Sequence, residues 1–104
     1  MKIQLLYFPG CPNVQAARNV LEKAMLETSV SLLELREINV QAPDCPAHLK
    51  NWPSPSILVN GKDIEGQSPK AGAACRVYKN GIAPALGEIV NAITNAKDKK
   101  NAHD

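Results

Sequence analysis

Apolar runs of strand length alternate with helical patterns along the chain, and this alternation predicts the main structural elements. Ile3 to Phe8 is a largely apolar run, which is typical of a strand buried on both faces. From Pro12 to about Glu27, apolar residues recur at helical spacing with charged residues between them, so we predict an amphipathic helix. The apolar positions of this helix are Val14, Ala17, Leu21, Ala24 and Met25.

The rest of the chain continues the alternation and contains the strongest local turn signal. Asn60 and Gly61 tolerate the positive φ of a type I′ turn, so they predict a tight hairpin between a third and a fourth strand. The element order is therefore β-α-β-α-β-β-α, with the first two strands parallel and the hairpin at the other edge of the sheet. After the first helix we predict a strand over Ser31 to Val40, a short helix over Pro46 to Asn51, strands over Ser56 to Val59 and Lys62 to Glu65, and a helix over Pro84 to Ala96.

Length and composition are those of one ordinary globular domain. The chain has 104 residues, of which 44% are hydrophobic and 21% charged. The segment from Lys97 to Asp104 is polar and rich in lysine, so we expect it to fray as a disordered tail. The folded domain is therefore predicted over residues 1–96 and the tail over residues 97–104.

Charge and hydropathy argue against two classes of partner. The net charge is only +2 and aromatic residues make up 4% of the chain, so we expect no nucleic-acid binding. No apolar run has the length of a membrane span or of an export signal, so we expect no membrane association. The simplest predicted location is the cytoplasm, where thiols are kept reduced and three cysteines need not form a structural bridge.

Cys11 is the residue with the clearest chemical signal. Pro9 and Gly10 turn the chain after the first strand, and Cys11 then opens the predicted helix with Pro12 in its first position. The unpaired N–H groups at a helix start stabilise a thiolate over a thiol, so we predict a reactive cysteine. Three residues later, where a dithiol redox motif has its second cysteine, the sequence has Val14.

Three motifs together resemble the thioredoxin and glutaredoxin superfamily over residues 1–96. They are the strand that leads into Cys11-Pro12, the Ser54-Pro55 dipeptide before the third strand, and the Asn60-Gly61 hairpin. The resemblance implies a thioredoxin-like three-layer α/β sandwich with a four-stranded mixed sheet, and thiol–disulfide exchange as the activity. It also implies a cis peptide bond before Pro55, placed against the reactive cysteine. The stretch from Ala74 to Tyr78 is similar to small bacterial thioredoxin-like proteins, some of them linked to mercury resistance.

Because Val14 cannot form a local disulfide with Cys11, two routes for resolving a mixed disulfide stay open. One uses an external thiol such as glutathione, and the other uses a distant cysteine of the same chain. In the predicted topology Cys11, Cys45 and Cys75 all reach one edge of the sheet. Cys75 is the preferred partner because it lies in a long loop, whereas the prolines on either side of Cys45 limit its reach.

We therefore predict Cys11 as the nucleophile and Cys75 as the resolving thiol of an exchange protein without a resident cofactor. The partner is a protein or a small molecule that carries a thiol or a disulfide. Backbone pairing with an extended partner chain is expected at the loop before the third strand. The predicted partner-binding residues are Pro12, Asn13, Ser54 and Pro55.

Two other functions compete with this interpretation. Cys11, Cys45 and Cys75 could instead hold a soft ion such as zinc, copper(I) or mercury(II), with His48 as a further ligand, although their spacing is not that of a zinc finger. A degenerate thioredoxin fold that serves only protein interaction is the third option.

Structural roles are considered for three other side chains. Asp63 and Glu65 are two residues apart on the hairpin and are expected on the same face, where a role as solvated charges that protect the sheet edge explains them as well as a chemical role does. Trp52 is predicted to be a partly buried cover near the site.

Overall fold

A mixed four-stranded sheet forms the centre of the protein. The computed structural model describes residues 1–67, 76, 78, 79, 81 and 83–101. For residues 99–101 it describes the backbone alone. Within this part of the chain the strand order is β2-β1-β3-β4, with β1 parallel to β2 and antiparallel to β3. The predicted α/β class, the mixed sheet and the edge hairpin are confirmed. The elements are β1 (Ile3–Tyr7), α1 (Val14–Glu27), β2 (Leu35–Asn39), β3 (Ser56–Val59), β4 (Lys62–Asp63) and α2 (Leu86–Asn101).

Both helices pack on one face of the sheet. Alternate side chains of a strand point to opposite faces, so Ile3 and Leu5 of β1 lie beside Ile57 and Val59 of β3 on the same face. These four residues join the apolar stripes of the two helices in one buried cluster. The helical members are Val14, Leu21, Ala24, Met25, Ile89 and Ile93, in agreement with the predicted periodicity.

The opposite face is covered by an irregular segment where the sequence predicted a helix. A single 3₁₀ turn, Ala47–Leu49, replaces the helix expected over Pro46 to Asn51. Pro46 and Pro53 leave too few residues between them to form a stable α-helix, because helix nucleation is costly. The third layer of the predicted sandwich is therefore a loop in the described structure. It buries Val40, Cys45, Leu49 and Trp52 against Leu6 and Leu58 of the sheet.

The second and the fourth strand differ from the prediction at one end each, for local reasons. The start of the predicted second strand is a 3₁₀ turn, Leu32–Glu34, because the Ser31 hydroxyl accepts a hydrogen bond from the N–H of Leu33. The fourth strand ends at Asp63 because its carboxylate accepts the N–H groups of Glu65 and Gln67 and turns the chain.

The final helix begins two residues after Pro84 and extends to Asn101, beyond the predicted end at Ala96. Lys97 donates a hydrogen bond from Nζ to the carbonyl oxygen of Thr28, just after α1. A lysine at this place stabilises the carbonyl groups at the helix end, so the last turns of α2 help to close α1. No helix in the described part of the chain combines the length and the apolar character that crossing a membrane requires.

Candidate functional site

Cys11 lies just before α1, in a turn that follows β1. Its N–H donates to the carbonyl oxygen of Phe8 at 3.4 Å. Asn13 is the helix cap, because its carbonyl accepts the N–H of Ala17 at 3.2 Å. The predicted position of the cysteine near the helix start is confirmed. The prediction of Pro12 as the first helical residue is wrong, because Pro12 precedes the cap.

The side chain of Cys11 contacts the loop that leads into β3. Its residue is 9% exposed, and Sγ donates to the carbonyl oxygen of Ser54 at 3.6 Å. The peptide bond between Ser54 and Pro55 is cis, as the resemblance implied. Two segments predicted to form the site, residues 11–13 and residues 54–55, therefore meet in the structure.

A third segment reaches the same carbonyl oxygen. The N–H of Arg76 donates to the oxygen of Ser54 at 2.6 Å, so this oxygen accepts hydrogen bonds from both Arg76 and Cys11. A carbonyl oxygen has two lone pairs, and both are used here. Cys75, the predicted resolving cysteine, lies outside the described residues, but it immediately precedes Arg76 in the sequence.

The hydroxyl of Ser54 is a buried polar group at this site. Ser54 is fully buried, and within the described structure its Oγ has no hydrogen-bond partner. A buried hydroxyl without a partner costs about 1–3 kcal/mol of folding free energy. Such a group is available to a reacting atom that enters the site.

A buried ion network holds Arg76 in place. Its guanidinium donates to both carboxylate oxygens of Asp63, at 2.6 and 2.7 Å, and to Oε1 of Glu65 at 3.5 Å. It also donates to the hydroxyl of Ser56 at 3.1 Å and lies 4.3 Å from the centre of the Tyr78 ring. This set of five residues is called the Arg76 network below.

The Arg76 network buries two carboxylates with a single guanidinium. Backbone N–H groups donate further hydrogen bonds to both carboxylates. The side chains of Asp63 and Glu65 are 0% and 3% exposed, so the interpretation of these residues as solvated edge charges is wrong. The N–H of Gln67 donates to Asp63, and the N–H of Lys79 donates to Glu65 at 3.1 Å. Each carboxylate thus has donors besides the guanidinium, which buried charge requires.

Burial and neighbouring charges shift the ionisation of two members of the Arg76 network. Burial lowers the pKa of Arg76, but the hydrogen bond to Asp63 and the nearby charges raise the pKa above its ordinary value overall. Burial raises the pKa of Tyr78 well above its ordinary value. Tyr78 therefore stays protonated, and its hydroxyl donates to the carbonyl oxygen of Pro55 at 2.7 Å.

Sequence reasoning missed the Arg76 network. One available signal was an arginine placed directly between Cys75 and Val77, an apolar context in which a charge needs a partner. The other was the spacing of Asp63 and Glu65, which puts both side chains on one face of the hairpin. The two signals lie more than ten residues apart, and only the folded chain joins them.

Cys45 is not brought to Cys11. It packs in the loop-covered cluster with Trp52, on the opposite sheet face from the cluster that contains Cys11. Its Sγ donates to the carbonyl oxygen of Pro46 at 3.5 Å. Trp52 is 7% exposed, so it is more deeply buried than the partly buried cover that the sequence predicted. Cys45 is therefore a packed core residue here.

The metal interpretation has little support in the described residues. His48 is exposed on the 3₁₀ turn. Across residues 1–67 and the later described positions, no three side chains of His, Cys, Asp or Glu form a group that could hold a metal ion. A cavity of about 480 Å³ lies between the β3–β4 hairpin and α2, and its described lining does not include Cys11, Ser54 or Pro55.

Comparisons of the chain with protein-family models, with curated proteins and with solved structures find no significant match. What the site does is therefore inferred from its own geometry and chemistry.

The buried pair of Arg76 and Asp63 gives the first prediction. Asp63→Asn should lower the free energy of unfolding by about 3 kcal/mol or more, because it leaves a buried guanidinium without its main partner. Glu37→Gln is the matched control, since Glu37 forms the same two-pronged pair with Arg18 at a partly exposed site. The control should cost about 0–1 kcal/mol in urea unfolding. Equal costs for the two variants would contradict the structural role of the Arg76 network.

Tyr78 gives a prediction about alkaline pH. Its raised pKa means that the folded protein holds the phenolic proton more tightly than the unfolded chain does. The stabilisation is complete below about pH 10, the ordinary tyrosine pKa, and is lost as the pH rises above it. Urea unfolding at pH 8 to 11 should show a steeper loss of stability for the wild type than for Tyr78→Phe. Parallel curves for the two proteins would rule this out.

Proposed function

We propose that this chain is a thioredoxin-like thiol–disulfide exchange protein in which Cys11 is the nucleophile and Cys75 resolves the mixed disulfide. The observation that carries the proposal is the shared carbonyl oxygen of Ser54. It accepts hydrogen bonds from the Cys11 thiol and from the N–H of Arg76, the residue next to Cys75 in the sequence.

The topology supports the thioredoxin-like assignment. The parallel β1–α1–β2 unit is followed by an antiparallel hairpin at the far side of β1, and α2 returns to the face that α1 covers. A cis peptide bond before Pro55 lies beside a cysteine at a helix start. The resemblance implies a helix where the structure has a loop with a single 3₁₀ turn. This loop covers the sheet face opposite to α1, as the third layer of the sandwich would.

The exchange reaction proceeds in two displacement steps. The Cys11 thiolate attacks one sulfur of a partner disulfide, a Cys11–partner S–S bond forms, and the other partner sulfur leaves as a thiolate that takes up a proton. The Cys75 thiolate then attacks Sγ of Cys11. The Cys11–Cys75 disulfide forms, the second partner sulfur leaves as a thiolate, and two electrons have passed from the protein to the partner. The reverse sequence oxidises a partner dithiol.

Two groups are suited to stabilising the charged sulfur of Cys11. The N–H groups of the first turn of α1, beginning at Val14, carry the positive end of the helix dipole. The buried hydroxyl of Ser54 can donate to a sulfur that has lost its own proton. In the described structure the thiol of Cys11 donates to the Ser54 carbonyl.

The cysteines give a direct test of function. With dithiothreitol as the reductant, the wild type should accelerate reduction of a disulfide substrate, and Cys11→Ser should reduce the rate to background. Mixed with the disulfide substrate in the absence of dithiothreitol, Cys75→Ser should accumulate a mixed disulfide on Cys11 that intact-mass spectrometry detects. Cys45→Ser is the matched control and should keep wild-type activity, because Cys45 is packed away from Cys11.

Activity that survives in Cys11→Ser would contradict the proposal. A wild type that catalyses no exchange but binds one mercury(II) ion per chain through Cys11 and Cys75 would favour the metal-binding alternative.

Ser54 gives a second test. Ser54→Ala removes a buried hydroxyl without a described partner, so folding stability should stay the same or rise by up to about 1 kcal/mol. The rate of alkylation of Cys11 by iodoacetamide should fall about tenfold, because a hydrogen bond to a charged sulfur is lost. The measurement uses a Cys45→Ser, Cys75→Ser background, in which Cys11 is the single cysteine. An unchanged alkylation rate would show that the hydroxyl does not act on Cys11.

A further inference from the structure

The backbone of the loop beside Cys11 is already occupied by the protein's own groups. The carbonyl of Pro53 accepts the hydroxyl of Ser56 at 2.6 Å, and the carbonyl of Pro55 accepts the hydroxyl of Tyr78 at 2.7 Å. The carbonyl of Ser54 between them accepts both Arg76 and Cys11. All three oxygens of this loop therefore have partners from within the chain.

The same loop also has few donors. Proline has no N–H, so residues 53–55 offer at most the N–H of Ser54 for pairing with another chain. An extended polypeptide that pairs with a backbone edge needs both N–H and C=O groups from that edge. The loop thus lacks the free hydrogen-bonding groups that a partner strand would use.

Arg76 takes the place of such a partner strand, and side chains hold it there. Its backbone N–H pairs with the Ser54 carbonyl, and the described residues beyond β4 add an isolated bridge between Tyr78 and Gly81. The side-chain contacts are much stronger, since the guanidinium pairs with Asp63 and Glu65 while the neighbouring Tyr78 hydroxyl bonds to Pro55. Displacing Arg76 would leave two buried carboxylates, Asp63 and Glu65, without their guanidinium partner.

We infer that the substrate class of this site is the small disulfide, a low-molecular-weight molecule that reaches Cys11 without backbone pairing, and not the extended polypeptide. This inference rests on the proposed function and replaces the expected pairing of a partner chain at Ser54 and Pro55. A small disulfide needs access only to Sγ of Cys11, whose residue is 9% exposed. An extended chain must first break the hydrogen bonds of the loop or displace Arg76.

The test compares two disulfides, bis(2-hydroxyethyl) disulfide and insulin, with dithiothreitol as the reductant. Each kcat/KM is divided by the rate constant of the uncatalysed reaction with dithiothreitol, which removes the difference in intrinsic reactivity. The normalised value for the small disulfide should exceed that for insulin by about tenfold or more, as expected when one or two hydrogen bonds must break before a chain can bind.

Variants of the Arg76 network test the cause of this selectivity. Arg76→Lys keeps the charge but loses the two-pronged pair, and Tyr78→Phe frees the carbonyl of Pro55. Either change should raise the insulin value relative to the small-disulfide value by several-fold. Arg18→Lys is the matched control, because it alters a similar pair with Glu37 at a more exposed site, and it should leave the ratio unchanged.

The outcomes are distinct. Equal normalised values for the two substrates in the wild type, or a preference for insulin, would overturn the inference and leave the exchange function intact. A ratio that stays at the wild-type value in both Arg76→Lys and Tyr78→Phe would also overturn it. Failure to reduce either disulfide would instead refute the proposed function, and the inference with it. If Arg76→Lys does not fold, Tyr78→Phe decides the question, because it removes a single hydroxyl.

Discussion

The buried pair between Arg76 and Asp63 is the interaction on which the candidate site depends. A guanidinium and a carboxylate that are 5% and 0% exposed hold each other in a two-pronged arrangement, with Glu65 as a second acceptor. A buried ion pair adds little stability over well-packed apolar residues, but it allows only a narrow range of geometry. Here that geometry places the N–H of Arg76 on the carbonyl of Ser54.

The rest of the site follows from the sheet. Alternation along β3 directs Ile57 and Val59 toward the helices, and Ser56 toward the opposite face, where it meets Arg76. The order β2-β1-β3-β4 places the end of β1 beside the start of β3, so the turn that carries Cys11 contacts the loop that carries Ser54. Cys11 and Ser54 thus lie where β1 ends and β3 begins. The ion pair of Arg76 and Asp63 lies at the neighbouring β3–β4 hairpin.

Local patterns in the sequence predicted much of the fold. The apolar stripe of α1 and the positive φ of Asn60 and Gly61 depend on residues close together in the chain. The parallel pairing of β1 with β2 follows from the right-handed connection that a strand, a helix and a second strand form. The helix expected over Pro46 to Asn51 failed because proline restricts the backbone at both sides of the segment. A segment this short gains too little stability from its helical propensity to overcome the restriction that the prolines impose on the backbone.

The site was predictable only in part, for a different physical reason. The cis bond at Pro55 and its contact with Cys11 followed from motifs that resemble a known superfamily. The burial of Asp63 and Glu65 did not, because a charged residue on a hairpin is usually solvated, and only its distant partner Arg76 makes burial tolerable. Ion pairs between residues that are far apart in the sequence leave no periodic pattern along the chain. Analysis of hydrophobic and polar patterns therefore does not predict them.

The proposed exchange reaction requires Cys11 and Cys75 to form a disulfide with each other. Peptide mass spectrometry after equilibration with oxidised glutathione tests it most directly, with remaining thiols blocked by alkylation before digestion. We expect a peptide pair joined through Cys11 and Cys75, and an alkylated Cys45. A disulfide between Cys11 and Cys45, or Cys11 found only as a glutathione adduct beside an alkylated Cys75, would contradict it.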